Sequence, residues 1–564
     1  MKQSCNKPDC VIDALWLLVL IAVSSVWCVT AAHSLSATFD EPVYLECGLK
    51  HWHTGSYKSL MRLGTMPLPI DVQTLPLYLW EKSHGSQIDV HRDMAWILPV
   101  ARMGTLVFWA ILVVYVFRIA RSLAGSWAGR IAATIVVCEP GLLGHAALAT
   151  TDIAVTAMLA VFAFEFHAGR GKSWLRRLAI PAVIYGLAIL AKASALVFAP
   201  VCMIVIEFDR LWRSEGFVAI TGGNWKERLR FLRNGLWDFR RDFFRIIGLG
   251  LLVTFLYCGS DWTTEPTFGP WAQSLKPGKL HDIMIWLSQN LRIFTNAGEG
   301  LVQQIKHNMR GHATYIFGED HKRSVWYYFP AACAIKCSLF LLVLPLVIAV
   351  FRRRALWNWP CLIALALLTY SVTCRVQIGI RFMFPLIILA AAGFGAAVVT
   401  AWREAGPGAK RTTLIVFVII GLLYNATACV RVWPEGICYT NEFWGGTHDG
   451  YLQLSDSNYD WGQGLLELSQ WREAHGVSAI DVWYFGLDPR ADVPPLMNIS
   501  PKGETLSAME DQIGGKWVAV STTWLYGAYT SDSPAMTKAV EFFKQHTPAD
   551  RTTTFLLYDF RNTK

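Results

Sequence analysis

Charge is scarce in this chain: Lys, Arg, Asp and Glu together make only 16% of its 564 residues, while 53% are apolar. Soluble globular proteins carry about 25% charged residues, so one water-soluble core of this length is excluded. Internal repeats and low-complexity tracts are missing too. The first absence counts against a secondary transporter, a class commonly built from a duplicated unit. The thirteen Cys show no metal-ligand spacing, and Cys28, Cys138, Cys202, Cys258 and Cys361 lie inside apolar runs, so they read as buried thiols. The formal charge of +9 is broken into short clusters between apolar runs. That is how topology anchors are distributed, and it argues against a nucleic-acid face.

What is abundant is apolar sequence. Runs lie near 14–32, 95–117, 131–144, 147–166, 178–191, 193–208, 246–258, 326–350, 358–374, 382–401 and 411–430. Several fall short of the roughly 20 residues a straight span needs. Compact basic segments occupy 118–130, 169–177, 209–245, 351–357 and 402–411, the third holding nine Lys or Arg. If all five face the cytoplasm, an even number of crossings separates each from the next. That parity splits 131–168 into a hairpin turning near "EPGLLGH" and 178–208 into one turning near Ala191 and Lys192. The expectation is a mainly α membrane protein with about eleven crossings and a cytoplasmic N-terminus. The membrane domain covers 1–430, with outer loops over 33–94 and 259–325. A cleaved signal peptide is the rival reading of residues 1–36, and it leaves residue 40 on the same side. In the tail, 431–564, "DVWYFG" and "KWVAVSTTWLYG" read as strands, "GLLELSQWREAHG" and "PAMTKAVEFFKQH" as amphipathic helices. A small α/β domain outside the membrane follows.

Ionisable groups in or at the lip of apolar runs are costly and are candidates for function. Asp40 and Glu41, in "LSATFDEPVYLECG", follow the first crossing. Glu139 and His145 sit at the turn of the first hairpin with Asp152 just beyond, and Lys192 tops the second hairpin. Arg375 and Arg381 bracket "VQIGI", and Lys336 lies inside the eighth crossing. The topology brings these groups to the outer face. Cations at headgroup depth suit an anion attached to a lipid. The structural alternative, internal ion pairs and snorkelling cations, weighs most on Lys336. A glycosyl phosphate already has a good leaving group, so one carboxylate for the nucleophile's proton, Asp40 or as second choice Glu41, and cations for the phosphate suffice. Adjacent residues 40 and 41 do not readily supply the two opposed carboxylates of a hydrolase. Asp152 is the candidate second acid, or else holds the acceptor or tunes Asp40.

Six stretches in chain order resemble the lipid-phosphate-sugar-dependent glycosyltransferases of the GT-C fold. Within that class they are most similar to glycosyltransferase family 39, its protein mannosyltransferases and lipid A aminoarabinose transferases. They are "FDEPVYLECG", "EPGLLGHAALATTDIAVTAML", "GLAILAKASALVFAP", "YYFPAACAIKCSLFLLVLP", "QIGIRFMFP" and "PEGICYTNEFWGG…DSNYDWGQGL". The resemblance implies an inverting displacement in which a sugar leaves a polyprenyl phosphate for an acceptor hydroxyl. Asp40 would be the general base, with Lys192 and Arg381 near the donor phosphate. It implies a lipid-linked donor, a lipid, glycan or protein acceptor, no nucleic acid, and a bacterial inner (plasma) membrane. No cofactor is expected; Glu139, Asp152 and Asp40 are the one set of oxygen ligands a divalent metal would use. The family's "HPP"-like stretch has its nearest counterpart in "MPLPIDVQTLPLYLW" (66–80), which has no His. "DSNYDWGQ" (456–463) reads equally as a frame for the acceptor cleft or as a domain cap. A multi-pass transporter of an anionic or lipid-linked substrate is the alternative.

Overall fold

Small residues set the centre of the helical body. The helix Phe384–Glu404 carries "ILAAAGFGAAVV", and a Cβ added at Gly395 would fall 2.8 Å from the Ala128 carbonyl. Lipid tails are as apolar as Leu, so membrane helices gain by close packing of small residues. Phe384–Glu404 accordingly packs against Val90–Ala124, Ser126–Val137, Asp152–Gly169 and Trp359–Ser371. The chain is described by a computed structural model over residues 7–219, 225–264, 266–292, 295–500, 511–529 and 533–561.

The chain is a multi-pass membrane protein. Among the described residues five helices are long and apolar enough to cross singly: Asp9–Ser34, Val90–Ala124, Asp152–Gly169, Ile380–Glu404 and Ala409–Val432. The pair Tyr328–Lys336 and Leu339–Leu356, bent by 101° at its break, makes a sixth if it is one span. The other apolar runs are helical but shorter or interrupted, as with Ser126–Val137, Ile180–Ala191, Ala195–Trp212 and Trp359–Ser371. Individual length therefore supports five or six full spans where sequence parity expects about eleven. The first helix and Ala409–Val432 are peripheral and leave Val11, Leu15, Val19, Ile419, Leu423 and Val430 exposed, as lipid-facing residues are.

At one end of the helices the basic segments lie together. Arg121 and Arg130 reach Asp13 at 3.3 and 2.8 Å, and the Arg403 guanidinium lies against Gly125. Arg352 pairs with Glu404, and Arg213 donates to the Trp357 carbonyl. Arg170 bridges Glu207 and Asp242 at 3.0 and 2.9 Å. Segments 118–130, 402–411, 351–357, 209–245 and 169–177 are thereby linked across one face, the arrangement that parity requires.

The opposite end is roofed by the tail. Beyond Val432 the chain runs back over the helices, where Gly144 and Gly436 meet backbone to backbone; a Cβ on Gly144 would fall 2.5 Å from the Gly436 carbonyl carbon. The segment 259–325 carries near its end a hairpin of β1 (Thr314–Ile316) and β2 (Glu319–His321). The tail sheet contains β3 (Ile480–Trp483), β4 (Leu496–Asn498), β5 (Trp517–Ser521), β6 (Asp550–Arg551) and β7 (Phe555–Asp559), in the order β4-β3-β5-β7-β6. Strand β3 runs parallel to β4 and β5, and β7 is antiparallel to β5. Phe542 and Phe543 of Pro534–Gln545 join one apolar cluster of the sheet; Leu465 and Leu468 of Leu465–Ala474 join the other. The C-terminal end of β3 leads into 484–488, which meets the segment that carries Asp40, and the end of β5 leads into Thr522 and Thr523, which hold Asp460.

Candidate active site

The segment Ser36–Asp40 is held in place from two sides. Its backbone is zipped to the tail, Ser36 N donating to Gln463 O at 2.9 Å and Phe39 N to Trp461 O at 2.8 Å. Asp488 accepts from Ala37 N at 2.8 Å, and Phe39 stacks on Phe485. From below, Glu41 is locked by Arg102, which donates to it at 2.8 and 2.7 Å and also caps the carbonyls of Ala32, Leu35 and Ser36. Glu41 further accepts from Thr38 N, Thr38 Oγ1 and Ala149 N. Both its oxygens are thus committed and its side chain is wholly buried. Glu41 is a structural counterion, which corrects its place among the candidate bases.

Asp40 differs from its neighbour in being reachable. It begins the helix Glu41–Thr54, does not cap it, and its side chain is 27% exposed. Its Oδ2 accepts from Arg381 Nη1 at 3.3 Å and from the Tyr44 hydroxyl, one helical turn on, also at 3.3 Å. The same Arg381 nitrogen lies 3.5 Å from Asp152 Oδ2, and Lys192 Nζ donates to Asp152 Oδ1 at 2.5 Å. Four charges from four distant parts of the sequence therefore form one row: Asp40, Arg381, Asp152, Lys192. The inner two are buried, whereas Lys192, 19% exposed, opens to the surroundings as Asp40 does.

Local structure explains why these side chains converge. Lys192 sits at a break where Ile180–Ala191 ends in extended backbone before Ala195–Trp212 begins. Asp152 opens the helix Asp152–Gly169, at whose positive N-terminal end a carboxylate is favoured. Arg381 lies in the short turn Ile380–Met383 that follows Gly379. Asn458 pins this turn by accepting from Ile380 N at 2.8 Å, and Ser457 donates to the Ile378 carbonyl. The guanidinium stacks 4.1 Å from the Trp461 ring, and the Lys192 ammonium stands 4.3 Å over Phe382. Arg381 Nε and His145 Nε2 are buried with no hydrogen-bond partner among the described residues.

The other candidates separate into near and remote. His145 is near, its ring between Phe384 and Trp461 and its Nδ1 donating to Gly141 O at 2.9 Å. Glu139 is not in the row: it accepts from Ser338 N and Oγ at 2.9 and 2.7 Å, holding the break of the bent pair. Lys336 donates to the carbonyls of Ile437 and Asn458 at 2.7 and 2.5 Å, fastening the tail to the helices; its structural alternative prevails. Arg375 is exposed and reaches the Met309 carbonyl at 3.5 Å. It is not part of the cationic row. Nor do Glu139, Asp152 and Asp40 assemble an oxygen site: Glu139 is turned to Ser338, while Asp40 and Asp152 share the Arg381 guanidinium. Among the described residues no three His, Cys, Asp or Glu side chains are placed to hold a metal.

"DSNYDWGQ" frames the site. Besides Asn458, Ser457 and Trp461, it supplies Asp456, a non-glycine residue at φ +59° whose carboxylate accepts from Ser457 N and Tyr529 Oη. Burial raises its pKa to about 6, a rise that the nearby Arg381 charge holds back. A left-handed φ on an L-residue costs about 1–3 kcal/mol and clusters at functional sites. Sequence reasoning missed Tyr44 and Arg102. Tyr44 follows Asp40 by four residues, the spacing at which helical side chains meet; Arg102 is an ionisable group inside the 95–117 run, a signal of the kind used for Lys336.

Residues 97–221 match the family model of dolichyl-phosphate-mannose-protein mannosyltransferases. That stretch holds Glu139, His145, Asp152 and Lys192 but neither Asp40 nor Arg381. No curated protein sequence matches the chain. Among solved structures it is similar to ArnT from Cupriavidus metallidurans bound to undecaprenyl phosphate, with TM-score 0.45 and 14% identity over 96% of this chain and 97% of that one. It is also similar to the archaeal oligosaccharyltransferase AglB from Archaeoglobus fulgidus in complex with an inhibitory peptide and a dolichol-phosphate, with TM-score 0.41 and 13% identity over 91% and 71% of the two chains.

Proposed function

We propose that the protein is an inverting GT-C glycosyltransferase that moves a sugar from a polyprenyl phosphate to an acceptor hydroxyl at the outer membrane face. The observation that carries this reading is the row itself. A reachable carboxylate and a reachable ammonium flank a buried guanidinium at the end of the helices away from the basic segments. The partial match to a lipid-phosphate-sugar-dependent family, which includes Asp152 and Lys192, supports it.

In this mechanism Arg381 and Lys192 take the donor phosphate, and Asp152 keeps their charges aligned from the buried side. Asp40 accepts the proton of the acceptor hydroxyl as its oxygen attacks the anomeric carbon. The bond from that carbon to the phosphate oxygen breaks with its electron pair, and the two cations stabilise the charge that develops there. Attack from the side opposite the phosphate inverts the centre. Because Asp40 and Arg381 touch in this structure, the donor sugar must enter between them, so phosphate binding parts the pair. The tail domain then frames the acceptor side through 456–463 and 484–488.

The test is to incubate the detergent-solubilised protein with a panel of polyprenyl-phosphate sugars and follow release of the lipid phosphate. Consumption of one donor that depends on Asp40 is expected. Intact donors across the panel, in the presence of candidate lipid, glycan and protein acceptors, would count against the reading.

A further inference from the structure

The helix Trp225–Cys258 is built in two unlike halves. Residues 246–258 are uninterruptedly apolar, whereas 225–245 hold seven Lys or Arg against three acids, interleaved with Trp, Phe and Leu. Its apolar half packs beside Ile180–Ala191, with Gly186 and Gly250 allowing the close approach. Further along, Gly235 lies against Leu211 and Asp242 pairs with Arg170. The stretch from Asp242 back to Trp225 thus extends about 25 Å beyond that ion pair, at 1.5 Å per residue.

The cations on this face fall into two sets. Arg170, Arg177, Arg210 and Arg213 pair with Glu207, Asp209 or Asp242. Arg230, Arg233, Arg241 and Arg245 are exposed and make no ion pair among the described residues. The basic segments and this helix also expose Trp127, Trp174, Trp225, Trp237 and Trp357, each between 49% and 67% exposed. Exposed Trp beside basic residues is characteristic of the membrane–water interface, where an amphipathic ring is at home. Unpaired guanidiniums interleaved with exposed aromatic rings match a phosphodiester headgroup and the acyl chains beside it in charge and in polarity.

We infer that the face carried by residues 225–245 is a docking surface for anionic phospholipid headgroups of the leaflet opposite the candidate active site. The surface does not depend on the glycosyl-transfer reading. Arg230, Arg233, Arg241 and Arg245 bind the phosphates, and Trp225, Trp237 and Phe244 anchor the helix against the acyl chains. A polybasic stretch at a membrane surface gains affinity with each Lys or Arg that reaches it, so discrimination against a zwitterionic lipid is large.

The full-length protein in neutral-detergent micelles is titrated with dansyl-tailed phosphatidylglycerol or phosphatidylcholine, read by energy transfer from tryptophan. The wild type is expected to prefer phosphatidylglycerol by about tenfold, and salt raised to about 0.5 M removes the preference. In R230Q/R233Q/R241Q/R245Q the preference falls to parity. Equal affinity of the wild type for both lipids, or an unchanged preference in the folded variant, overturns the inference. Loss of phosphatidylglycerol binding on adding millimolar inorganic phosphate also overturns it, by showing a site for soluble anions. If the variant does not fold, the wild-type lipid ratio and its salt response decide.

Discussion

Asp40→Asn separates the proposed base from the proposed phosphate site. The substitution keeps the shape of the side chain and its contact with Tyr44 while removing one negative charge. In the native row Asp40 lies 3.3 Å from Arg381 and is 27% exposed. At an effective dielectric of about 20 the pair attraction is ~5 kcal/mol, and partial exposure and the competing Asp152 cut the net value to about 1 kcal/mol. Arg381 loses that competitor in the variant, so polyprenyl phosphate binds equally well or up to about fivefold tighter. Transfer falls by about 10²–10⁴-fold, the usual contribution of a general base. Single-turnover sugar release in micelles measures the second quantity, and titration with polyprenyl phosphate measures the first. Turnover within tenfold of wild type would reassign the base. Weakened phosphate binding would show that Asp40 belongs to the phosphate site instead.

Further substitutions test three separate links. Arg381→Ala should weaken polyprenyl-phosphate binding by at least tenfold while Arg375→Ala leaves it unchanged; equal effects would remove the special place of Arg381. Glu41→Gln leaves the buried Arg102 without its counterion, so thermal unfolding in detergent should report a loss of about 3–5 kcal/mol. The catalytic rate of the folded fraction should stay within a few-fold, and a rate collapse with unchanged stability would return Glu41 to the chemistry. Burial pushes the Asp460 carboxyl up to about 7, so the folded state favours its protonated form. The stability this contributes is complete below the ordinary Asp range and is lost as pH rises through 7. Asp460→Asn should therefore raise the unfolding temperature more at pH 8 than at pH 5, by an amount on the order of 1–2 kcal/mol. An equal effect at both would refute the assignment.

Much of the fold was legible because two of its signals are one-dimensional. Apolar runs show in the sequence directly, and the five basic segments, assigned to one side by their charge, do meet on one face through Arg403, Arg352, Arg213 and Arg170. The number of full spans was less legible, since a break such as that between Lys336 and Ser338 depends on Glu139, which lies 199 residues away from Ser338. In the tail, β3 and β5 were visible by alternation or flanking turns, but β7, "FLLYD", is buried on four of its five residues and has no period to read. In the site, Asp40, Asp152, Lys192 and Arg381 were all named from sequence. Their order along the row was not, nor was the division of labour between residues 40 and 41. One peptide bond separates a carboxylate that reaches the surroundings from one sealed against Arg102, and only packing distinguishes them.

The row's charge balance gives product release a physical basis. Without ligand the four groups, two carboxylates and two cations, sum to zero. A sugar–phosphate–lipid diester adds one negative charge. In the proposed reaction the phosphate after transfer is a monoester with up to two, but Asp40 holds the acceptor's proton, so the total around Arg381 is unchanged by the chemical step. Departure of that proton leaves a carboxylate facing a phosphate dianion across the guanidinium they share. Each then competes for Arg381, and the lipid phosphate is the one that can leave. In the proposed reaction, release of polyprenyl phosphate is thus coupled to deprotonation of Asp40. Asp40→Asn cannot perform this expulsion, so the lipid phosphate should dissociate from it more slowly than from the wild type in a stopped-flow displacement. Equal dissociation rates would mean that the Asp40–Arg381 contact plays no part in emptying the site.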